Sequence, residues 1–313
     1  MIMTKKLILS SSPHIHSGRS TSAIMRDVLI ALLPAAMAGT VIFGLRSLAV
    51  IAACCIGCVG FEFLFNLICK KDQTVGDLSA LVTGLLLALN LPSHTPIWQC
   101  LIGAFFAIVI VKCLFGGLGC NPVNPAITAR VFMLVSFGAL ATPSFPKQVD
   151  TVSGATPLAA IAEGNVPALR DLLLGLRGGA IGETCALALL LGLAYLLIRR
   201  IITWHVPVAF VGSVFLLSLL GGMDAATALT AVLSGGLFIG AFFMATDYVT
   251  TPTTKLGHII FGIGCGVLTF VIRQFGGYPE GTSFAILLMN VASPLIERAT
   301  VPKSFGYEGG KAK

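Results

Sequence analysis

Long, uninterrupted apolar runs separated by short polar connections dominate the chain. They lie near residues 26–44, 47–69, 76–91, 97–115, 126–140, 180–198, 203–221, 224–246, 257–274 and 281–297. A helix that crosses the hydrocarbon of a bilayer needs about 20 predominantly apolar residues. Most of the runs reach or approach that length, while 76–91 and 126–140 are short for a full span. The runs are continuous and do not alternate, which excludes a membrane barrel. The pattern predicts an all-α polytopic membrane protein with about ten transmembrane helices. Only 11% of the 313 residues are charged, against about 25% in soluble domains. That leaves too little polar surface to coat a particle in water.

The first 25 residues are polar, rich in Ser and His, and contain no apolar stretch of the kind a cleaved signal requires. The first apolar run is therefore expected to be retained as a span. Ten crossings from a cytoplasmic start divide the chain into a cytoplasmic tail (1–25), a five-span half (26–140), an extracytoplasmic loop (141–179), a second five-span half (180–297) and a cytoplasmic tail (298–313). On this topology 14 of the 20 Lys and Arg residues fall on the inner side, among them Lys70, Lys71, Lys112, Arg199, Arg200, Lys255 and Arg298. Five fall outside, and Arg130 remains within a span. Such a bias sets orientation, and it predicts a multi-pass protein of the plasma (inner) membrane with both termini cytoplasmic. It also accounts for the net charge of +7 without a nucleic-acid partner.

The two halves resemble each other weakly. The third run opens GDLSALVTGLLLALN and the eighth MDAATALTAVLSGGLFIG. Phe115-Gly116-Gly117 and Phe275-Gly276-Gly277 follow the fourth and ninth runs. An odd number of spans per half inverts one repeat relative to the other, an arrangement that places sites near the midplane between interrupted helices. Asn90-Leu91-Pro92 and Thr246-Asp247-Tyr248 are such interruptions, tolerated where they face protein or a cavity.

Charge inside a membrane is costly and usually functional. Glu62 lies within the second run, where it can pair with Arg130 of the fifth or serve an ion path for a cation. Glu183 and Arg273 lie near predicted span ends, from which long side chains snorkel to water. Eight of the nine cysteines fall in apolar runs, where Cys acts as a small hydrophobe. The Cys55-x-x-Cys58 pair has no second pair to complete a metal site. His14 and His16 lack ligand-type neighbours, and no metal site is expected. Neither a P-loop nor a Rossmann glycine motif occurs, so nucleotide binding is assigned to other chains.

The most informative string is Asp150-Thr151-Val152-Ser153-Gly154-Ala155-Thr156. It fits D-x-x-[ST]-G-A-[ST], the acceptor sequence of flavin transferases that move FMN from FAD onto a Thr or Ser hydroxyl. A side-chain alcohol forms a phosphoester, and the small Gly154 and Ala155 let the backbone enter another enzyme's site. The motif sits in the one long predicted loop. Pro157 and the following LAAIAEG are expected to open a short helix, whose first N–H groups can hold the FMN phosphate. The bland alternative is a turn leading into a helix cap.

Together with Ser12-Pro13-His14, Ser20-Thr21, Ile24-Met25, Ala31-Leu32-Leu33-Pro34-Ala35 and Phe115 through Ala126, this motif carries a resemblance that covers nearly the whole chain. The chain resembles the membrane-protein family comprising the D subunit of the Rnf ion-translocating ferredoxin:NAD oxidoreductase and the B subunit of the sodium-pumping NADH:quinone oxidoreductase. Its short N-terminal tail is closer to the Rnf member. The resemblance implies a translocase subunit with covalent FMN on Thr156 and a second, non-covalent flavin such as riboflavin among the helices. For the second flavin the Gly- and Pro-broken segments near Asn121 and Asn124, and near Gly276 and Gly277, are the candidates. Expected partners are a second covalent-flavin subunit, iron–sulfur subunits, a flavin transferase, and Na+ or H+ as the moved ion. The rival from the residues alone is a secondary transporter with an unused motif.

Overall fold

The computed structural model describes residues 20–146, 157–162, 167–276 and 281–302. Asp150, Ser153, Gly154, Ala155, Thr156 and Gly277 lie outside the described residues. Each of the ten apolar runs contains helix. In the first half these are α1 (Thr21–Phe43), α2 (Leu45–Ile68), α3 (Ser79–Leu89), α4 (Ile97–Phe105) and α5 (Pro125–Ser136). Two six-residue helices follow, α6 (Pro157–Ala162) and α7 (Leu169–Leu174). The second half holds α8 (Ala186–Ile198), α9 (His205–Leu220), α10 (Ala225–Leu233), α11 (Leu237–Ile239), α12 (Lys255–Phe275) and α13 (Thr282–Thr300). The helix expected after Thr156 is thus present as α6. Its first residue, Pro157, has no N–H to offer a phosphate.

Among the described residues three helices are long and apolar enough to cross a membrane: α1, α2 and α12, of 23, 24 and 21 residues. At 1.5 Å per residue they reach about 31–36 Å, enough for a core of about 30 Å. α10 and the helix that starts at α11 form a pair bent by 66°. Shorter apolar helices make up most of the rest, 186–198 among them. The run at 180–198 was expected to span; residues 180–185 instead form irregular backbone. Gly182 explains why, since a Cβ there would lie 2.6 Å from Leu89 Cβ. The chain comes so close because the N–H groups of Ile181 and Gly182 donate to Leu91 O and Leu89 O, at 3.0 and 2.8 Å. They satisfy carbonyls that the end of α3 leaves open.

Local chemistry sets the other ends. Ser20 caps α1 by accepting from Ala23 N at 3.2 Å. Asn124 Oδ1 accepts from Ala126 N and Ile127 N, with Pro125 as the first residue of α5, a favoured cap and first-turn pair. The loop before it turns on Gly116, Gly117 and Gly119 at φ of +119°, +98° and +91°, a region that residues with a Cβ avoid. Two residues past the ends of α2 and α8 stands a basic residue at φ 53°, Lys70 and Arg200. Lys71 N then donates to Asn66 O and Ile201 N to Leu196 O, closing each helix in the same way.

α1 packs against α8, and α5 against α13. Within the halves, α2 packs on α3 and α4, and α9 on α12. Small residues allow these approaches: a Cβ at Gly192 would lie 2.3 Å from Ala31 O, and one at Gly84 2.8 Å from Cys54 O. Helices in lipid associate largely through such close contacts.

Candidate functional site

At one end of the bundle the starts of α1, α3 and α5 and the end of α8 surround a cleft with about 800 Å³ of atom-free space, mouth included. Small-molecule sites are mostly apolar with few polar groups. The walls fit that description: Val28, Leu86, Ile202 and Phe243 supply apolar surface, and Thr83, Asn121, Thr246 and Asp247 the polar groups. A planar flavin ring needs this combination of apolar faces and a hydrogen-bonding edge.

The structure places Asn121 and Asn124 at this cleft, and gives them different work. Asn124 is spent on structure, capping α5 and donating from Nδ2 to Met244 O at 3.3 Å. Asn121 donates from Nδ2 to Val123 O, and its Oδ1 has no partner among the described residues. Gly276 is elsewhere. It follows the 21-residue α12, whose start adjoins the cleft-lining segment 246–249, so it lies about 30 Å away along that helix. The two glycine-broken segments therefore do not build one site. The second half contributes Thr246, Asp247 and Tyr248 instead.

A buried polar network joins the cleft wall at Ser79 and Lys112. Lys112 Nζ donates to Glu62 Oε1 and Oε2 at 2.9 and 3.0 Å, and to Ser79 Oγ at 2.6 Å. Thr74 Oγ1 donates to Glu62 Oε1 at 2.6 Å and accepts from Asn66 Nδ2 at 3.0 Å. Ser79 Oγ donates to Asp77 Oδ1 at 2.5 Å. Glu62 and Lys112 are 1% and 2% exposed. Glu62 does not pair with Arg130 as expected: its carboxylate faces Lys112. Arg130 is buried in α5, and its Nη1 has no partner among the described residues.

Lys112 was legible only as an inner-side positive charge, because it stands three residues from the end of an apolar run. What turns it inward is a stretch of wide helix, Phe106–Cys113, that continues α4. Such widened turns re-aim side chains and occur often at functional sites. Glu183 and Arg273 do not snorkel as expected. Glu183 is 3% exposed, and Arg273 donates to Ala231 O and Ser234 O at the break after α10.

At the opposite end, the stem of the predicted loop is tied down. Ser144 and Gly179 exchange backbone hydrogen bonds of 3.2 and 2.9 Å. Ser144 Oγ accepts from Ser93 N at 2.8 Å, beside the end of α3. Pro157 is buried, and α6 packs on α10.

With this geometry in hand, similarity to known proteins locates the chain. Residues 8–306 match the family described as NQR2, RnfD, RnfE. The chain is 48% identical over 306 residues to the D subunit of the Na(+)-translocating ferredoxin:NAD(+) oxidoreductase complex of Acetobacterium woodii, covering 96% of this chain and 95% of that one. It is 41% identical to the D subunit of the proton-translocating ferredoxin:NAD(+) oxidoreductase complex of Clostridium ljungdahlii, covering 95% and 96%. The D subunit of an ion-translocating oxidoreductase complex of Vibrio atlanticus is 38% identical, covering 96% and 99%. The chain belongs to the NQR2, RnfD, RnfE family of membrane proteins.

Proposed function

We propose that this chain is the D-type membrane subunit of an ion-translocating ferredoxin:NAD oxidoreductase complex, with FMN esterified to Thr156 and a second, non-covalent flavin such as riboflavin in the cleft near Asn121. The observation that carries the reading is a flavin-acceptor motif in a chain whose bundle holds, at its other end, a mostly apolar cleft with a few polar groups. The complete reaction belongs to the assembled complex, with a second covalent-flavin subunit and iron–sulfur subunits as partners. When bound, the flavins supply the electron-carrying chemistry, and the protein supplies position and electrostatics. The ion moved is Na+ or H+, since relatives are named for each.

Attachment forms one bond. The Thr156 oxygen joins the FMN phosphorus, AMP leaves from FAD, and the hydroxyl proton is released. Burial of Pro157 and the packing of α6 on α10 then fix the residue after the attachment point against the second half. In the cleft, the Asn121 amide oxygen and the Thr246–Tyr248 segment would hold the polar edge of the ring, with Leu86 and Phe243 against its faces.

The ten helical segments are read as two five-helix halves inverted in the membrane. Contact of first helix with first (α1 on α8) and last with last (α5 on α13) supports it, as do the matched basic ends at Lys70 and Arg200. The cleft end is assigned to the cytoplasm. Lys70, Lys71, Arg199, Arg200 and Lys255 gather there, tied to it by Ser22 Oγ on Gly76 O and Thr254 Oγ1 on Thr300 Oγ1. The loop with Thr156 is then extracytoplasmic.

Mass spectrometry of the chain co-expressed with a flavin transferase tests attachment. The expected result is an FMN-sized adduct on the peptide containing Thr156, lost in Thr156→Val. No adduct in either protein, beside an active transferase, would overturn the assignment. Flavin released from the denatured Thr156→Val complex would report the non-covalent site.

A further inference from the structure

Lys112 is shared between two environments. Its ammonium group is held on one side by both oxygens of Glu62 and by Ser79 Oγ, so all three of its donors are engaged. On the other side Lys112 and Ser79 belong to the wall of the cleft, whereas Glu62 does not. At 2% exposure the charge is held within the wall, buried from water. Besides Lys112, the only charged residue among those described in the lining is Asp247, contributed by the second half and opposite in sign. An electron entering a flavin in the cleft adds one negative charge beside Asp247. In a poorly polarisable interior that charge is felt over several ångströms.

We propose that Lys112 sets the reduction potential of the flavin in the cleft, and that Glu62, by holding it from behind, tempers that effect. The inference rests on the cleft being the second flavin site. The step is a one-electron reduction: an electron delivered by the complex's own carriers enters the flavin, and no proton need follow. The fixed ammonium favours the reduced form, and the carboxylate, farther away, opposes it less strongly. Lys112 is a positioning charge in this scheme and not a catalytic residue.

The two charges act with opposite sign, which separates this role from a structural one. A pair that only held α2 to α4 would disturb the cleft in the same way whichever partner was removed. The experiment is a spectroelectrochemical titration of the non-covalent flavin in the purified complex, comparing wild type with Lys112→Met, Glu62→Gln and Lys112→Arg. That flavin is identified as the one released on denaturation, the covalent one staying on the chain.

Lys112→Met is expected to shift the flavin's one-electron equilibrium at least tenfold toward the oxidised form, equivalent to a potential lower by about 59 mV. Glu62→Gln is expected to shift it the other way, and Lys112→Arg to remain within about threefold of wild type. Should Lys112→Met fail to assemble, the upward shift in Glu62→Gln still decides. Potentials that move in the same direction in both variants, or that do not move in Glu62→Gln, overturn the proposal while leaving the flavin site intact. A wild-type complex that releases no flavin overturns the site itself and the proposal with it.

Discussion

Removing one member of the Glu62–Lys112 pair should cost far more than removing both. In Lys112→Met the Glu62 carboxylate, with 2% of its side chain exposed, keeps only the hydrogen bond from Thr74. In Glu62→Gln the ammonium keeps a charge with no counterion and the bond to Ser79. Breaking a buried pair by deleting one partner costs about 3–5 kcal/mol, whereas replacing both is often neutral. The variant carrying Glu62→Gln and Lys112→Met should therefore lie within about 1–2 kcal/mol of wild type. At about 2 °C per kcal/mol, the lower end for chains of about 150–250 residues, each single variant should lower the thermal midpoint by about 6–10 °C. The assay is thermal inactivation of the assembled complex for all four proteins at one protein and detergent concentration. A double variant that falls as far as the sum of the singles would show that the cost is lost packing and not an uncompensated charge. Stability should fall in both single variants, while the flavin potential should move in opposite directions, so the two measurements report different consequences of the same pair.

Gly192→Ala should lose about 1–3 kcal/mol, because its Cβ would meet Ala31 O at 2.3 Å between α1 and α8. Gly212→Ala, with nothing within 4 Å, should leave the thermal midpoint level or slightly higher; equal losses would refute the close-contact argument. Cys69 and Cys120 are exposed at the cleft end and Cys54, Cys58 and Cys265 are buried. A membrane-impermeant maleimide should label the first two in inside-out vesicles and spare the other three, and labelling from the outer side instead would reverse the assigned orientation. Ser144→Ala strips Ser93 N of its acceptor, at a cost of about 1–3 kcal/mol, and should speed amide exchange at Ser93 and Gly179. Unchanged exchange would mean that Ser144 does not anchor the stem.

Helix positions were legible in the sequence because hydrocarbon imposes them: a run of apolar residues has no other stable conformation in lipid. The failures share a cause. Residues 180–185 read as part of a span, since hydropathy does not register that Ile181 and Gly182 spend their N–H groups on another helix. Lys112 read as a flank, since the widened turn that aims it inward leaves no mark in composition. Glu62 was found because a carboxylate in an apolar run stands out, but its partner was not, because pairing depends on the rotation of α2 and α4 about their axes. Asn121 and Asn124 stand out in the sequence through the broken segment around them, and both line the cleft. Gly276 follows α12 at the end away from the cleft, a placement that matching glycine motifs do not reveal.

The interrupted helices link the cleft to the stem of the loop at the other end of the fold. α3, with 11 residues, spans about 16 Å, and α10, with nine, about 14 Å. Neither crosses a core of about 30 Å, so each leaves carbonyls open inside the protein. In both cases the missing donors come from elsewhere. Ile181 and Gly182, just past the stem of the loop, serve α3, and Arg273 of α12 serves α10. The middle is joined by Asn124 Nδ2 on Met244 O and Asn90 Nδ2 on Met244 Sδ, where the break in one half meets the bent helix of the other. α3 therefore touches both regions of interest: Ser79, Thr83 and Leu86 line the cleft, and Leu89 and Leu91 hold the chain that returns from the loop. A coupling route needs an element whose arrangement both sites bias. α3 meets the geometric half of that requirement, because a displaced loop stem would uncap it at one end while a changed charge in the cleft acts on Ser79 at the other.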